Sequence, residues 1–199
     1  MKNRMFIAAS LLAALSFPAL GQSAKSLSET AAPPSALQPQ RVDANTFVQM
    51  AANSDMLEIQ SSELATKNAQ DKRIQDFAHH MIADHIEAST KLKATAQSKT
   101  VPATLDSEHA QVLQQLQRAS SKDFRQQYVQ MQLAAHQKAV ALFENYGSNG
   151  EDPKLKEFAQ QTLPKLRQHL EMVEQIRNDS ENEARKAQGS ARQPLDQRN

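Results

Sequence analysis

The chain contains no cysteine and no tryptophan, and only four of its residues are glycine. Without cysteine there can be no disulfide and no thiolate nucleophile, so packing alone must hold the fold together. Scarce glycine leaves little from which to build a phosphate-cradling loop, and no Gly-rich nucleotide motif occurs. Charge of one sign is also lacking: Lys and Arg total 23 against 22 Asp and Glu, a formal net charge of +1. A nucleic-acid binder should show a basic face or stripe, so that class of partner is excluded. Aromatics make up 5% of the residues. No apolar run reaches the ~20 residues that a membrane-spanning helix needs. What is abundant is Ala, Gln, Leu, Lys and Glu, the composition of a mostly helical protein.

The first residues, MKNRMFIAASLLAALSFPALGQSA, place Lys2 and Arg4 before an apolar run from Met5 to Phe17, then Pro18 and the small-residue stretch Ala19-Leu20-Gly21. This is the layout of a secretory signal peptide. The expectation is an exported, periplasmic protein with residues 1–21 removed near Gly21. An ordinary buried helix is the alternative. Residues 22–42 are rich in Ser, Ala, Gln and Pro without an apolar period, and read as a linker. Residues 179–199 are polar, with Gly189 and Pro194, and read as a disordered tail. The folded unit is then 43–178.

Within it the helical period recurs. A first helix is expected from about Asp43 to Asn68, its inner line drawn through Phe47, Met50, Ser54, Leu57, Ser61 and Leu64. A second runs from about Asp71 to Ser98 through Ile74, Phe77 or Ala78, Met81, His85, Ala88 and Leu92. A short helix, about Asp106 to Arg118, follows a connector holding Pro102. A third long helix starts near Ser121, an N-cap candidate, and stops at Gly147. A fourth starts at Asp152-Pro153 and runs to about Arg177, with Pro164 inside it. Each long helix is apolar on one side only and must bury that side. The fold class expected is all-α: a ferritin-like four-helix bundle with a short extra helix in the crossover between the second and third long helices. Residues 99–120 are numerous enough to run the bundle's length, though they could also pack across one end.

Several ionisable residues fall in or beside the inner lines: Glu58 on the first helix, Asp84 and His85 on the second, His136 on the third and His169 on the fourth. Counted from a common end, Glu58, His85, His136 and His169 lie within about 9 Å of one another along the bundle axis. Unpaired burial of such groups is costly. They must therefore partner one another, water or a metal. A dinuclear carboxylate centre needs Glu-x-x-His pairs. The residues three before the histidines are Ile82, Leu133 and Leu166, so that chemistry is excluded. The acid-x-x-His pairs Asp76–His79 and Asp106–His109 lie off the inner lines. A mononuclear site remains open, because imidazoles with a carboxylate suit zinc, copper or iron. The candidate ligands are Glu58, Asp84, His85, His136 and His169. The bland alternative is a buried hydrogen-bonded network without metal. No Gly-x-Ser-x-Gly elbow is present, so no nucleophilic enzyme is indicated. The five residues Phe47, Phe77, Phe124, Phe143 and Phe158, like Met50, Met56, Met81, Met131 and Met172, fit apolar stripes and read as core.

The stretches FVQMAANSDMLEIQSSELA, IQDFAHHMIADH, DFRQQYVQMQLAAHQKAVALFENYG and DPKLKEFAQQTLPKLRQHLEM resemble the family named domain of unknown function 4142. The likeness covers about residues 43–178. It implies an exported bacterial protein with a ferritin-like helical bundle, and the positions matching the family's motif residues are Glu58, Asp84, His85, His136 and His169. It implies no activity. The family's members are often labelled outer-membrane proteins, which no feature of this sequence supports. The first reading is a non-enzymatic envelope or stress-related protein with a buried polar network. The second is a periplasmic metal-binding protein. Partners stay open, a homo-oligomer among them.

Overall fold

Five helices form because apolar residues recur at three- and four-residue steps and because a short polar side chain starts each one. In the computed structural model, which describes residues 41–191 and the side chains of 41–188, these are α1 (Ala44–Asn68), α2 (Lys72–Ala96), α3 (Ser107–Gln117), α4 (Ser121–Asn149) and α5 (Pro153–Ala191). No strand occurs among the described residues, so the protein is all-α. The proposed signal peptide and most of the linker lie outside the described residues.

The N-caps follow side-chain chemistry. Asp43, Asp71 and Asp106 accept from the backbone N–H of Thr46, Arg73 and His109, each at 2.9 Å. Asp152 accepts from Lys154 and Leu155. Ser120, one residue before the expected Ser121, caps α4. Each such cap is worth ~1 kcal/mol. At the other end, α4 passes Gly147 and stops at Gly150.

The polar contacts fix the helix directions. At the start of α1, the Ala44 N–H donates to Glu151 beyond the end of α4 (2.8 Å), and near its finish Ser62 meets Tyr128 in the first turns of α4 (2.8 Å). Helices α1 and α4 are therefore antiparallel. Lys99 just past α2 pairs with Asp152 at the start of α5 (2.6 Å), and Arg73 at the start of α2 pairs with Glu183 late in α5 (3.0 Å). Helices α2 and α5 are antiparallel as well. Short links make α1–α2 and α4–α5 hairpins, so α2 and α4 point the same way. Residues 97–120 must then travel the length of the molecule, and they do so along α1 and α4. Halfway, Asn53 Oδ1 accepts the Asp106 N–H at 2.8 Å and ties this connection to α1.

The apolar interior is divided in two. One cluster gathers Phe47, Leu92, Phe143, Tyr146, Leu155 and Phe158 near the start of α1. The other gathers Ile74, Phe77, Met81, Phe124, Tyr128 and Val173 near its finish. Each such large side chain contributes ~1.5–3 kcal/mol when fully buried. Between the clusters lies a polar layer.

Two expectations change. The inner line of α1 is not the one drawn through Met50 and Ser54. Met50 is 48% exposed, and the buried residues include Ala51, Ala52, Asp55, Glu58, Ser62 and Ala65. Small side chains let the neighbouring helices come close, and their weak hydropathy hides the true stripe. Helix α5 also does not fray at Asn178 but continues to Ala191. Arg73 reaches Asp179 and Glu183 there, and Arg125 reaches Ser180, which holds the first turns of the polar stretch in helical form.

Candidate metal centre

The polar layer is built from all four long helices. Helix α1 supplies Asp55 and Glu58, α2 supplies Asp84 and His85, α4 supplies Gln132 and His136, and α5 supplies His169. His85, His136 and His169 are each 2% exposed or less, and Glu58 is 1% exposed. The histidine rings meet: their centroids are 5.8 Å apart for His85–His136, 5.4 Å for His85–His169 and 5.4 Å for His136–His169. One ring nitrogen from each lies within 4.8 Å of the other two.

Each ring is held by one nitrogen and free at the other. His85 Nδ1 bonds Asp55 Oδ1 at 2.8 Å, His136 Nδ1 donates to the Gln132 carbonyl at 2.9 Å, and His169 Nε2 bonds Asp84 Oδ2 at 2.8 Å. The layer's side-chain atoms left without a hydrogen-bond partner are His85 Nε2, His136 Nε2, His169 Nδ1, Gln132 Oε1 and both carboxylate oxygens of Glu58. Glu58 Oε1 lies 3.8 Å from His136 Nδ1. In a neutral ring, a carboxylate or carbonyl on the outer nitrogen fixes the tautomer and leaves a lone pair on the inner one.

Electrostatics follow from burial. Desolvation pushes the Glu58 carboxyl up to about 7, against the pull of His85. Desolvation and the neighbouring His85 push His136 down to about 3, so it is neutral. His169 falls to about 4, burial outweighing its bond to Asp84. For His85 burial also opposes charge, but Asp55, Glu58 and Asp84 prevail and raise its pKa. Burial works against the Asp84 carboxylate, yet His169 and Lys165 hold it below the usual range.

The structure therefore brings together His85, His136 and His169, sets the buried Glu58 beside the outer nitrogen of His136, and places Asp84 on the outer nitrogen of His169. Two residues of the layer were not picked out from the sequence. Asp55 stands three residues before Glu58 and so shares its helix face. Gln132 stands four before His136, and its carbonyl is an ordinary backbone acceptor that no pattern marks. His79 and His80 point outward, and His109 pairs with Asp106 near the surface.

These features define a helical protein with a buried cluster of three histidines and a carboxylate. The chain belongs to the family described as Domain of unknown function (DUF4142), whose model matches residues 28–176. No curated protein and no solved structure matches it.

Proposed function

We propose that the protein holds one divalent transition-metal ion in its polar layer, with His85 Nε2, His136 Nε2 and His169 Nδ1 as ligands and Glu58 as the fourth donor. One observation carries this reading: one nitrogen from each of three buried histidines lies within 4.8 Å of the other two, and each ring keeps a nitrogen without a hydrogen-bond partner. Leaving a buried polar group unpaired costs ~1–3 kcal/mol, and more if it is charged. A single ion would satisfy the three ring nitrogens at once. Asp55, the Gln132 carbonyl and Asp84 are then the groups that orient the three rings, as is common behind metal-bound histidines. Asp84 is assigned to this role and not to the ion.

The size of the site is close to what an ion needs. A tetrahedral ion with bonds of ~2.1 Å separates its ligands by about 3.4 Å. One nitrogen from each histidine lies within 4.8 Å of the other two, so the three rings close that gap if each swings inward by under about 1 Å. Imidazole-rich donors with one carboxylate suit zinc, copper or iron. With Glu58 turned inward as the fourth donor, four protein groups would complete a tetrahedral ion, which favours holding a metal over catalysis on it.

The arrangement of two hairpins joined by a crossover along the bundle is read as ferritin-like. The basic and apolar residues before Gly21 support an exported, periplasmic location, where such a protein would take up or buffer a metal for the envelope.

Metal analysis of the untagged protein after dialysis tests the reading. About one equivalent is expected, lost in His136→Ala and His169→Ala variants that keep wild-type helical circular dichroism. A wild-type protein that retains no stoichiometric zinc, copper or iron after loading with each would refute it.

A further inference from the structure

The polar layer is buried, so an ion needs a way in. Of the groups bonded to the three histidines, Asp84 is the most open: its side chain is 22% exposed, against 6% for Asp55. Asp84 lines a surface pocket of about 110 Å³ between α2 and α5, with Glu87, Lys91, Thr162 and Lys165 around it. Its Oδ2 touches His169 Nε2 on the inside and lies 3.4 Å from Lys165 Nζ on the outside. His169 thus spans the wall, one nitrogen toward the pocket and the other unpartnered in the interior. The opposite seam offers a less direct path. There a pocket of about 320 Å³ between α1 and α2 is lined by Ser89 and Lys93, and Ser89 reaches only Asp55, which stands behind it at 3.2 Å.

We infer that the Asp84 pocket is the port through which a divalent cation reaches the three histidines, with Asp84 as its first ligand and Lys165 as the cation that bars it. This rests on the metal-binding reading above. An incoming cation must displace Lys165 from Asp84, and it is then handed to the interior as the His169 ring turns. The carboxylates of Asp84 and Glu87 favour the ion. Lys165 and Lys91 oppose it, and Lys91 is already paired with Glu87. Lys165 is the only one of the two that contacts the group bonded to a histidine.

The test is rate, not affinity alone. Cobalt(II) is mixed with the full chain and its visible absorption bands are followed by stopped flow, for wild type, Lys165→Gln and Lys93→Gln. Both substituted lysines are surface residues on intact helices, so the variants fold. Removing one positive charge about 6 Å from a passing divalent ion in water is worth about tenfold. Lys165→Gln is expected to raise the association rate about tenfold at low ionic strength, with the gain shrinking as salt is added. Lys93→Gln is expected to leave the rate essentially unchanged. An unaltered rate in Lys165→Gln, or acceleration by Lys93→Gln instead, overturns the port while leaving the metal site standing. Absence of cobalt bands in the wild type overturns both.

Discussion

Glu58 and the inner histidines set opposing demands on the metal-free fold, and each has a sign. His136 and His169 have folded pKa values near 3 and 4, below the ordinary 6.5. Their contribution to stability is complete above pH 6.5 and is lost as pH falls below it, because the unfolded chain takes up protons that the fold refuses. Glu58 has a folded pKa near 7 against 4.5. It keeps a proton that the unfolded chain releases, so its contribution weakens as pH rises from 4.5 to 7. His85, with its pKa raised, changes the balance only above this window. Between pH 4.5 and 6.5 the unfolded chain therefore binds about one proton more, and stability should fall by about 1.4 kcal/mol per pH unit on acidification. Glu58→Gln removes the opposing proton, so the slope should roughly double. At pH 8 the same variant should be more stable than wild type by a few kcal/mol, since no carboxylate charge is buried. Denaturant melts of both proteins at pH 5, 6 and 8, with chelator present, check all three expectations. A Glu58→Gln protein weaker than wild type at pH 8 would mean that the carboxylate is satisfied in the metal-free fold.

At the scale of elements, the ends of the helices carry the testable detail. Helix α2 ends on Gln97 with φ 52° and ψ −113°, a conformation that suits glycine and strains any residue with a Cβ. Gln97→Gly should stabilise the protein by about 1 kcal/mol, the strain relieved exceeding the entropy that glycine adds to the unfolded chain. An unchanged or lowered melting midpoint would show that the turn is not strained. The polar end of α5 is held by exposed ion pairs, which are worth ~0–1 kcal/mol. Truncation after Ser180 should accordingly cost less than about 1 kcal/mol, measured by thermal melting. These elements also show what the sequence could disclose. In α2 and α5 the inner line is mostly Ile, Leu, Phe, Met, Val and Ala interrupted by one histidine, and in α4 Phe124, Tyr128, Val129, Phe143 and Tyr146 flank Gln132 and His136, so the apolar period marks His85, His136 and His169. In α1 the expected Phe47 and Leu57 are buried, but the rest of the inner face is mostly Ala, Ser, Asp and Glu. Hydropathy does not point along that part, so the expected line runs through Met50, which is exposed, and misses the buried Asp55. The helical end of α5 was hidden for a related reason: its support comes from Arg73 and Arg125 far away in the chain, not from any local apolar period.

At the scale of the whole molecule, the polar layer lies where every long helix crosses the same level, between two apolar clusters that do not merge. Without an ion, that level joins the helices through Asp55–His85, Asp84–His169 and Gln132–Ser61. With an ion, His85 of α2, His136 of α4 and His169 of α5 would converge on one point with Glu58 of α1 beside them, so the two hairpins, already joined there by Asp84–His169, gain a stronger link at their centre. The unfolded chain scatters these ligands over more than a hundred residues and cannot present them together, so the free energy of binding becomes free energy of folding. At free zinc 100 times the dissociation constant, the fold should gain about 2.7 kcal/mol. For a domain of roughly 150 residues that corresponds to a rise in melting temperature of roughly 5–10 °C. Thermal melts at pH 7.5 with chelator and with added zinc measure it directly. His136→Ala should melt at the same temperature in both conditions, whereas His80→Ala, which alters an exposed histidine on the same helix as His85, should retain the full shift. A zinc-dependent rise that survives His136→Ala and disappears in His80→Ala would place the ion on the surface and remove it from the interior where the four helices meet.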